Sequence, residues 1–198
     1  MINHKTIQVS WLLAGALLFC ASAFAQDGKG EIAGFGGGLA ITGGGVNPLV
    51  GGSGDVRVID NLRIFGEFSY SPLNSLATSA ANEVSAVTGL NVTAKVKLFD
   101  FGGGIDYSFG SSKRVVPYVL AAVGVGHTSV SASVNVNGVT GTGSMSTDSV
   151  YLGIGGGVRI YAGRNWGIKP EFRYQRYGGS LASNSAIFTA GLFYQFGK

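Results

Sequence analysis

An all-β chain folded as an eight-stranded antiparallel up-and-down transmembrane β-barrel is the architecture this sequence predicts, and three observations predict it. First, several segments alternate apolar and polar residues with a period of two, most sharply in Trp166–Tyr177. There Trp166, Ile168, Pro170, Phe172 and Tyr174 share one parity, and Lys169, Glu171, Arg173 and Gln175 share the other. Successive side chains of a strand point to opposite faces, so one face is apolar and the other densely charged. Second, the chain opens with an export signal, yet no later apolar run approaches the roughly 20 residues a spanning helix needs. Third, it is only 12% charged and carries 34 glycines in 198 residues. A chain that crosses a bilayer without helices must close its strands into a barrel, because every backbone donor and acceptor has to be paired there.

Residues 1–25 read as a cleaved signal peptide and residues 26–198 as one barrel domain. Lys5 supplies the positive start, Val9–Cys20 the apolar core, and Ala23-Phe24-Ala25 a small-x-small cleavage site. Phe19 before Cys20 argues against a lipid-attachment box, which wants a small residue there. With Cys20 removed, no thiol remains for a disulfide, a metal site or a nucleophile, and His127 is the single imidazole. The inventory therefore predicts no metal, no cofactor and no catalytic residue. The formal net charge of +4 is mild and gives no footprint for nucleic acid.

The first strand falls in Glu31–Thr42, where Phe35, Leu39 and Ile41 share a parity and glycines fill the gaps. Glycine weakens an isolated strand, but in a small barrel it permits tight curvature and close interior packing. Val50–Ile59 and Leu62–Ser71 flank Asp60-Asn61, a two-residue hairpin signal. In the second arm Leu62, Ile64, Phe68 and Tyr70 oppose Arg63, Phe65, Glu67 and Ser69; in the first, Val56 and Val58 oppose Asp55 and Arg57. Pro72–Leu90 is rich in Ser, Ala, Asn and Thr and reads as a loop with room for a short helix around Ala77–Val87. Val92–Phe109 places Phe99, Phe101, Ile105, Tyr107 and Phe109 opposite Asp100, Asp106 and Ser108. Lys95 and Lys97 share the aromatic parity, which suits a position above the hydrocarbon beside anionic headgroups, or else a bulge near Leu98.

Phe109–Lys113 is a short turn before Val115–Val130, whose apolar residues occupy both parities and leave its facing open. Ser131–Asp148 reads as a second long polar loop. Val150–Tyr161 sets Val150, Leu152, Ile154, Val158 and Ile160 against Tyr151, Arg159 and Tyr161, and Ala162–Asn165 turns into Trp166–Tyr177. Gly178–Ser185 leads to Ala186–Phe196, with Phe188, Leu192, Tyr194 and Phe196 on one face. Short connections thus follow strands two, four and six, and the longest follow three and five, the order of periplasmic turns and extracellular loops. Trp166, Tyr70, Tyr107, Tyr118 and Phe196 are placed for interfacial aromatic girdles. Pro170 has no backbone donor, so its strand must lose a ladder bond or bulge there.

Arg57-Val58-Ile59-Asp60-Asn61-Leu62-Arg63-Ile64-Phe65-Gly66-Glu67, Val116-Pro117-Tyr118 and the closing Leu192-Phe193-Tyr194-Gln195-Phe196 give the chain a family likeness. It resembles the small eight-stranded outer-membrane barrels, the OmpA-like transmembrane domain and OmpX-like group, over nearly all of its mature length. The resemblance implies residence in the outer membrane of a Gram-negative bacterium after Sec export, and a final strand read by the barrel-assembly machinery during insertion. It also implies outer-membrane lipid and lipopolysaccharide as surroundings and a monomer, with an extracellular partner that the sequence does not name.

The expected interior charge network is Asp55, Arg57, Arg63, Glu67, Asp100, Asp106, Arg159, Lys169, Glu171 and Arg173, five acids and five bases. Eight strands leave an interior about wide enough for side chains to fill. A balanced set in that space pairs into a plug more readily than it lines a channel of one sign. The leading expectation is a non-enzymatic barrel acting through extracellular loops in envelope integrity, adhesion or surface interaction. The alternatives are a narrow porin for small solutes or ions, and a soluble periplasmic lipocalin-type binding barrel with its apolar parity inward. Lipid A-modifying enzymes are the best enzymatic rival, with only His127 to build from.

Overall fold

The computed structural model describes residues 30–88, 91–109, 114–136, 139–179 and 183–197. The expected signal peptide, most of the Phe109–Lys113 turn and part of the Gly178–Ser185 connection lie outside the described residues. The strands are β1 (Gly30–Ile41), β2 (Gly45–Ile59), β3 (Leu62–Pro72), β4 (Asn91–Ser108), β5 (Val115–Val136), β6 (Val139–Tyr161), β7 (Trp166–Tyr177) and β8 (Ser183–Phe196). One helix, α1 (Asn74–Thr88), joins β3 to β4. Each strand pairs antiparallel with the next, and β1 closes on β8 from Gly30 opposite Phe196 to Ile41 opposite Ser185. The closed ring leaves no sheet edge at membrane depth.

Parity decides what faces the bilayer. Ile64 and Phe68 on β3, Phe101 and Ile105 on β4, Leu152 and Ile154 on β6, and Phe188 and Leu192 on β8 all point outward and are exposed. Charged side chains of the opposite parity point inward and are buried, Arg63, Asp106 and Arg159 among them. A soluble barrel would invert this arrangement, since water-facing apolar patches rarely exceed a few hundred Å²; the lipocalin-type expectation fails on that ground. Strand β1 is the exception in degree: Phe35, Leu39 and Ile41 point inward, and its outer face offers only Ile32, Gly34, Gly36, Gly38 and Ala40.

The Asp60-Asn61 turn forms as expected, with Ile59 opposite Leu62 and one extra residue, Val58, bulged between the Arg57–Arg63 and Ile59–Leu62 pairs. Strand β5, whose facing the sequence leaves open, turns Val119, Val123 and Val125 outward and Tyr118, Leu120 and Ala122 inward. Tyr118 is thus an interior residue and not a girdle residue, because it shares its parity with Leu120. The expected Trp166, Tyr107 and Phe196 are exposed at the turn end of the barrel, joined there by Tyr194 and Phe109, with Tyr107 and Phe109 edge to face at 5.2 Å.

Two segments that read as loops are ordered differently. Residues 131–148 are mostly strand: β5 and β6 continue pairing, Ser131 opposite Ser144 and Val136 opposite Val139, into a hairpin of 22 and 23 residues. The Pro72–Leu90 connection is mostly α1, which begins three residues before the expected helix and ends one after it. No bulge occurs near Leu98, since β4 keeps one register with both β3 and β5; Lys95 and Lys97 therefore do point outward, and both are exposed.

Pro170 interrupts its strand as its chemistry requires. The β6–β7 ladder runs from Tyr151–Tyr177 to Gly157–Glu171, skips the Val158–Pro170 and Arg159–Lys169 pairs, and resumes at Ile160–Ile168 without a register shift. On the other side β7 stays paired with β8 through Pro170 opposite Ala190. Valine at this outward-facing site restores a donor and suits a pleated, half-buried surface. P170V is expected to stabilise the barrel by about 0.5–1.5 kcal/mol, read as a higher urea midpoint in phospholipid vesicles.

Candidate functional site

The barrel interior is built in three tiers, and the lowest, at the turn end, is organised by Arg159 on β6. Its guanidinium is 1% exposed and donates through Nε to Glu31 (3.0 Å to Oε2), and through Nη2 and Nη1 to Asp106 (2.8 and 3.2 Å). Nη1 also donates to Ser108 Oγ at 3.2 Å, and Nη2 stands 3.7 Å from Asp55. Arg63 on β3 bonds Asp55 at 2.6 Å and Glu31 at 3.4 Å. Lys169 on β7 reaches Glu31 at 3.4 Å, and Gln195 on β8 donates to the same carboxylate at 2.8 Å. Three carboxylates and three cations from six strands thus form one neutral cluster, with Glu31 its most connected acid. Burial of charge is costly unless geometry and hydrogen bonds compensate it, and here every one of these carboxylates meets at least one guanidinium.

The middle tier pairs Arg173 with Glu67 and Glu171. Arg173 makes a two-pronged contact with Glu67, Nη2 to Oε2 at 2.9 Å and Nη1 to Oε1, and Nη2 also donates to Glu171 at 2.7 Å. Tyr118 joins the two tiers. Its hydroxyl donates to Glu171 at 2.6 Å, and its ring lies 4.4 Å from the Arg159 guanidinium carbon and 5.1 Å from Lys169 Nζ. A cavity of about 20 Å³ remains beside this tier, bordered by Phe65, Glu67, Lys169, Glu171 and Arg173; that is space on the order of one water molecule.

The upper tier is nearly uncharged. Asp100 accepts from Tyr177 at 2.8 Å, Gln175 donates to that hydroxyl at 3.2 Å, and Tyr151 and Tyr177 meet edge to face at 5.7 Å. Above them Leu39, Leu49, Leu73, Ala77, Leu98 and Ile187 form an apolar cap with at most 7% exposure each. Ala77 belongs to helix α1 and Leu73 immediately precedes it, and the helix is pinned at its start. Ser75 N–H donates to Asn47 Oδ1 at 3.0 Å, Ser75 Oγ donates to the Val46 carbonyl at 3.1 Å, and Leu73 N–H donates to the Val96 carbonyl at 2.9 Å. The Asn47 side chain thereby takes one of the donors that a helix start leaves unpaired.

All ten residues expected in the interior network point into the barrel, and eight of them join ion pairs. Arg57 and Asp100 join none among the described residues, where the Nε of Arg57 and Oδ1 of Asp100 are buried without a hydrogen-bond partner. Arg57 stands opposite Arg63 in the ladder, where a second cation competes for the same carboxylates. The expected set omits Glu31, although a lone carboxylate on a lipid-crossing strand has nowhere to go but inward. It omits Tyr118, Tyr177 and Gln195 as well.

On the outer wall His127 Nδ1 and Asp148 Oδ1 are 2.6 Å apart, both exposed, directly opposite each other on β5 and β6. No group of three or more His, Cys, Asp or Glu residues able to hold a metal ion occurs among the described residues.

Comparison with solved structures gives the same architecture. Neisserial surface protein A superposes with a TM-score of 0.57 at 21% identity, covering 85% of this chain and 97% of that one. Ail, the attachment invasion locus protein of Yersinia pestis, gives 0.56 at 16%, covering 86% and 100%. OprG of Pseudomonas aeruginosa gives 0.50 at 11%, covering 87% and 97%. These identities speak for the fold alone. No curated protein matches the sequence. The family model described as the outer membrane protein beta-barrel domain matches residues 11–196; with the outward apolar parity and the closed ring, it makes this chain a member of that family of outer-membrane barrels.

Proposed function

We propose that the chain is a closed outer-membrane barrel that acts through its extracellular surface, with a lumen that neither conducts nor catalyses. The observation that carries this reading is the filled interior: an ion-paired cluster below, an apolar cap under α1 above, and space for about one water between them. The surface in question is the β5–β6 hairpin, which runs past the point where β6 leaves β7 at Tyr151. It stands beyond the barrel rim as a platform for surface contact or adhesion. Export by the Sec route, insertion by the barrel-assembly machinery and a monomeric state complete the proposal. The rival is a narrow porin.

Planar-bilayer recording with the purified, folded chain distinguishes them. The expected record is silent, and it stays silent in K95Q, whose side chain is outside. Conductance steps in the wild type, altered in size or ion preference by R63Q or E67Q, would establish the porin instead.

A further inference from the structure

The charged pair on the outer wall has the geometry of an oriented base. His127 Nδ1 and Asp148 Oδ1 stand 2.6 Å apart, directly across the β5–β6 ladder. An ionised carboxylate has only lone pairs to give, so Nδ1 carries the hydrogen, and Nε2 on the far side of the ring is left as an acceptor. As an ion pair between two exposed side chains, the contact contributes little to stability. Its neighbours give it something else to do.

Ser129 follows His127 on the outward parity of β5, with Lys97 of β4 on one side of it and Ser146 of β6 on the other. Alternate residues of a strand lie about 6.8 Å apart, and an imidazole leaning along the strand spans that gap. Ser129 Oγ has no partner among the described residues, so it can turn onto Nε2; bonds of this kind commonly tighten only when substrate is bound. Ser146 lies on the strand of Asp148, the side toward which Nδ1 points, so Nε2 faces away from it. Strand β5 is paired on both sides at Ser129, which commits its backbone amides to the ladder. An oxyanion formed at Ser129 must then be met by a side chain, and the Lys97 ammonium stands opposite.

The height of these residues selects the substrate. Phe99 is opposite His127 on β4, and Phe101, Val125 and Val150 continue below as exposed apolar surface. His127 and Asp148 are the first polar residues above that belt on the outward parity of β5 and β6. They stand where the hydrocarbon gives way to the interfacial region, the depth at which esters join acyl chains to their headgroups. Beyond Tyr151 β6 has no β7 partner, so the flank of Asp148 away from β5 is open.

We propose that His127, Ser129 and Asp148 form a serine esterase centre on the outer wall, which hydrolyses an acyl ester of a membrane lipid. It goes beyond the surface-contact reading above and rests on the outer-membrane placement alone. Ser129 and His127 are the catalytic residues, Lys97 meets the oxyanion, and Asp148 is a positioning residue. Ser129 Oγ bonds to the ester carbonyl carbon and gives its proton to Nε2, which passes it to the leaving alcohol oxygen as the ester C–O bond breaks. Water then attacks the acyl-serine, its proton travels through Nε2 to Ser129 Oγ, and the fatty acid leaves. One ester and one water thus yield one alcohol and one acid.

The test is fatty-acid release by the full chain folded in detergent–lipid micelles, with phosphatidylglycerol in one arm and lipid A in the other. The same samples are labelled with a long-chain fluorophosphonate and mapped by peptide mass spectrometry. The wild type is expected to release fatty acid in at least one arm, which names the lipid, and to carry the phosphonate on Ser129. S129A is expected to lose both signals, and H127N to slow release by about 10²-fold or more. D148N is expected to slow release and D148E, which keeps the carboxylate, to recover most of it; S146A is expected to match the wild type. A heat-shifted band checks that each variant is folded. Release at the protein-free rate in both arms, release undiminished in S129A, or phosphonate on Ser146 would overturn the proposal. A wild-type chain without a heat-shifted band would overturn the outer-membrane reading and this centre with it.

Discussion

Replacing Arg159 by methionine is expected to cost the folded barrel about 3–5 kcal/mol, the range for removing one partner of a buried ion pair. The side chain is 1% exposed and serves Glu31, Asp55 and Asp106 at once. After R159M, Glu31 retains Lys169 and Arg63, and Asp55 retains Arg63. Asp106 retains no cation among the described residues, so most of the loss traces to a buried carboxylate left alone. That assignment makes a second result predictable. D106L introduced into R159M removes the stranded charge and is expected to recover much of the stability, with a coupling between the two sites above about 1 kcal/mol. Urea titration in phospholipid vesicles reads both effects as midpoints, and the heat-dependent shift of the folded band in detergent gives an independent readout. An R159M midpoint equal to that of the wild type would mean the cluster is incidental to stability.

The same cluster shows which parts of the barrel are legible in the sequence and which are not. Strict alternation works when one face meets lipid and the other meets charge, so β3 and β7 are legible residue by residue, down to Arg63, Glu67 and Arg173. It fails on β5, where Val, Ala and Gly occupy both parities: the lumen there is filled by Leu120 and Ala122, which are as apolar as the lipid side. Tyr118 is misplaced for that reason. Residues 131–148 look like a loop because Ser, Thr and Gly dominate them. Above the bilayer, however, a strand needs only its ladder partner, and lipid no longer selects apolar side chains on one face. A fainter alternation is present, Ser131 and Ser133 outward against Ala132 and Val134 inward. The helix in the β3–β4 connection is legible from its composition, but its use as the lid of the barrel is not. That role depends on Asn47 and on Leu39 and Leu49 of strands distant in sequence.

Glycine density, the most conspicuous feature of the composition, has its sharpest consequence at the seam where β1 meets β8. A Cβ added at inward-facing Gly37 would overlap the carbonyl oxygen of Phe188 and stand 2.8 Å from the Cα of Thr189. Both obstacles are backbone, so no rotamer change relieves them, and the strands would have to separate at the pairing that closes the ring. Overpacking a core commonly costs about 1–3 kcal/mol when side chains can yield; here they cannot, and the cost is expected to exceed that range. G37V is therefore expected to leave the chain without a heat-shifted folded band and open to protease in vesicles. Three residues away on the same strand, Gly34 faces the bilayer, and a Cβ added there would meet nothing within 4 Å. G34V adds β-propensity and apolar surface to the lipid side and is expected to fold with wild-type band shift and protease resistance. Equal behaviour of the two variants would show that glycine on β1 serves strand flexibility in general; a difference confined to G37V would tie it to closure of the barrel.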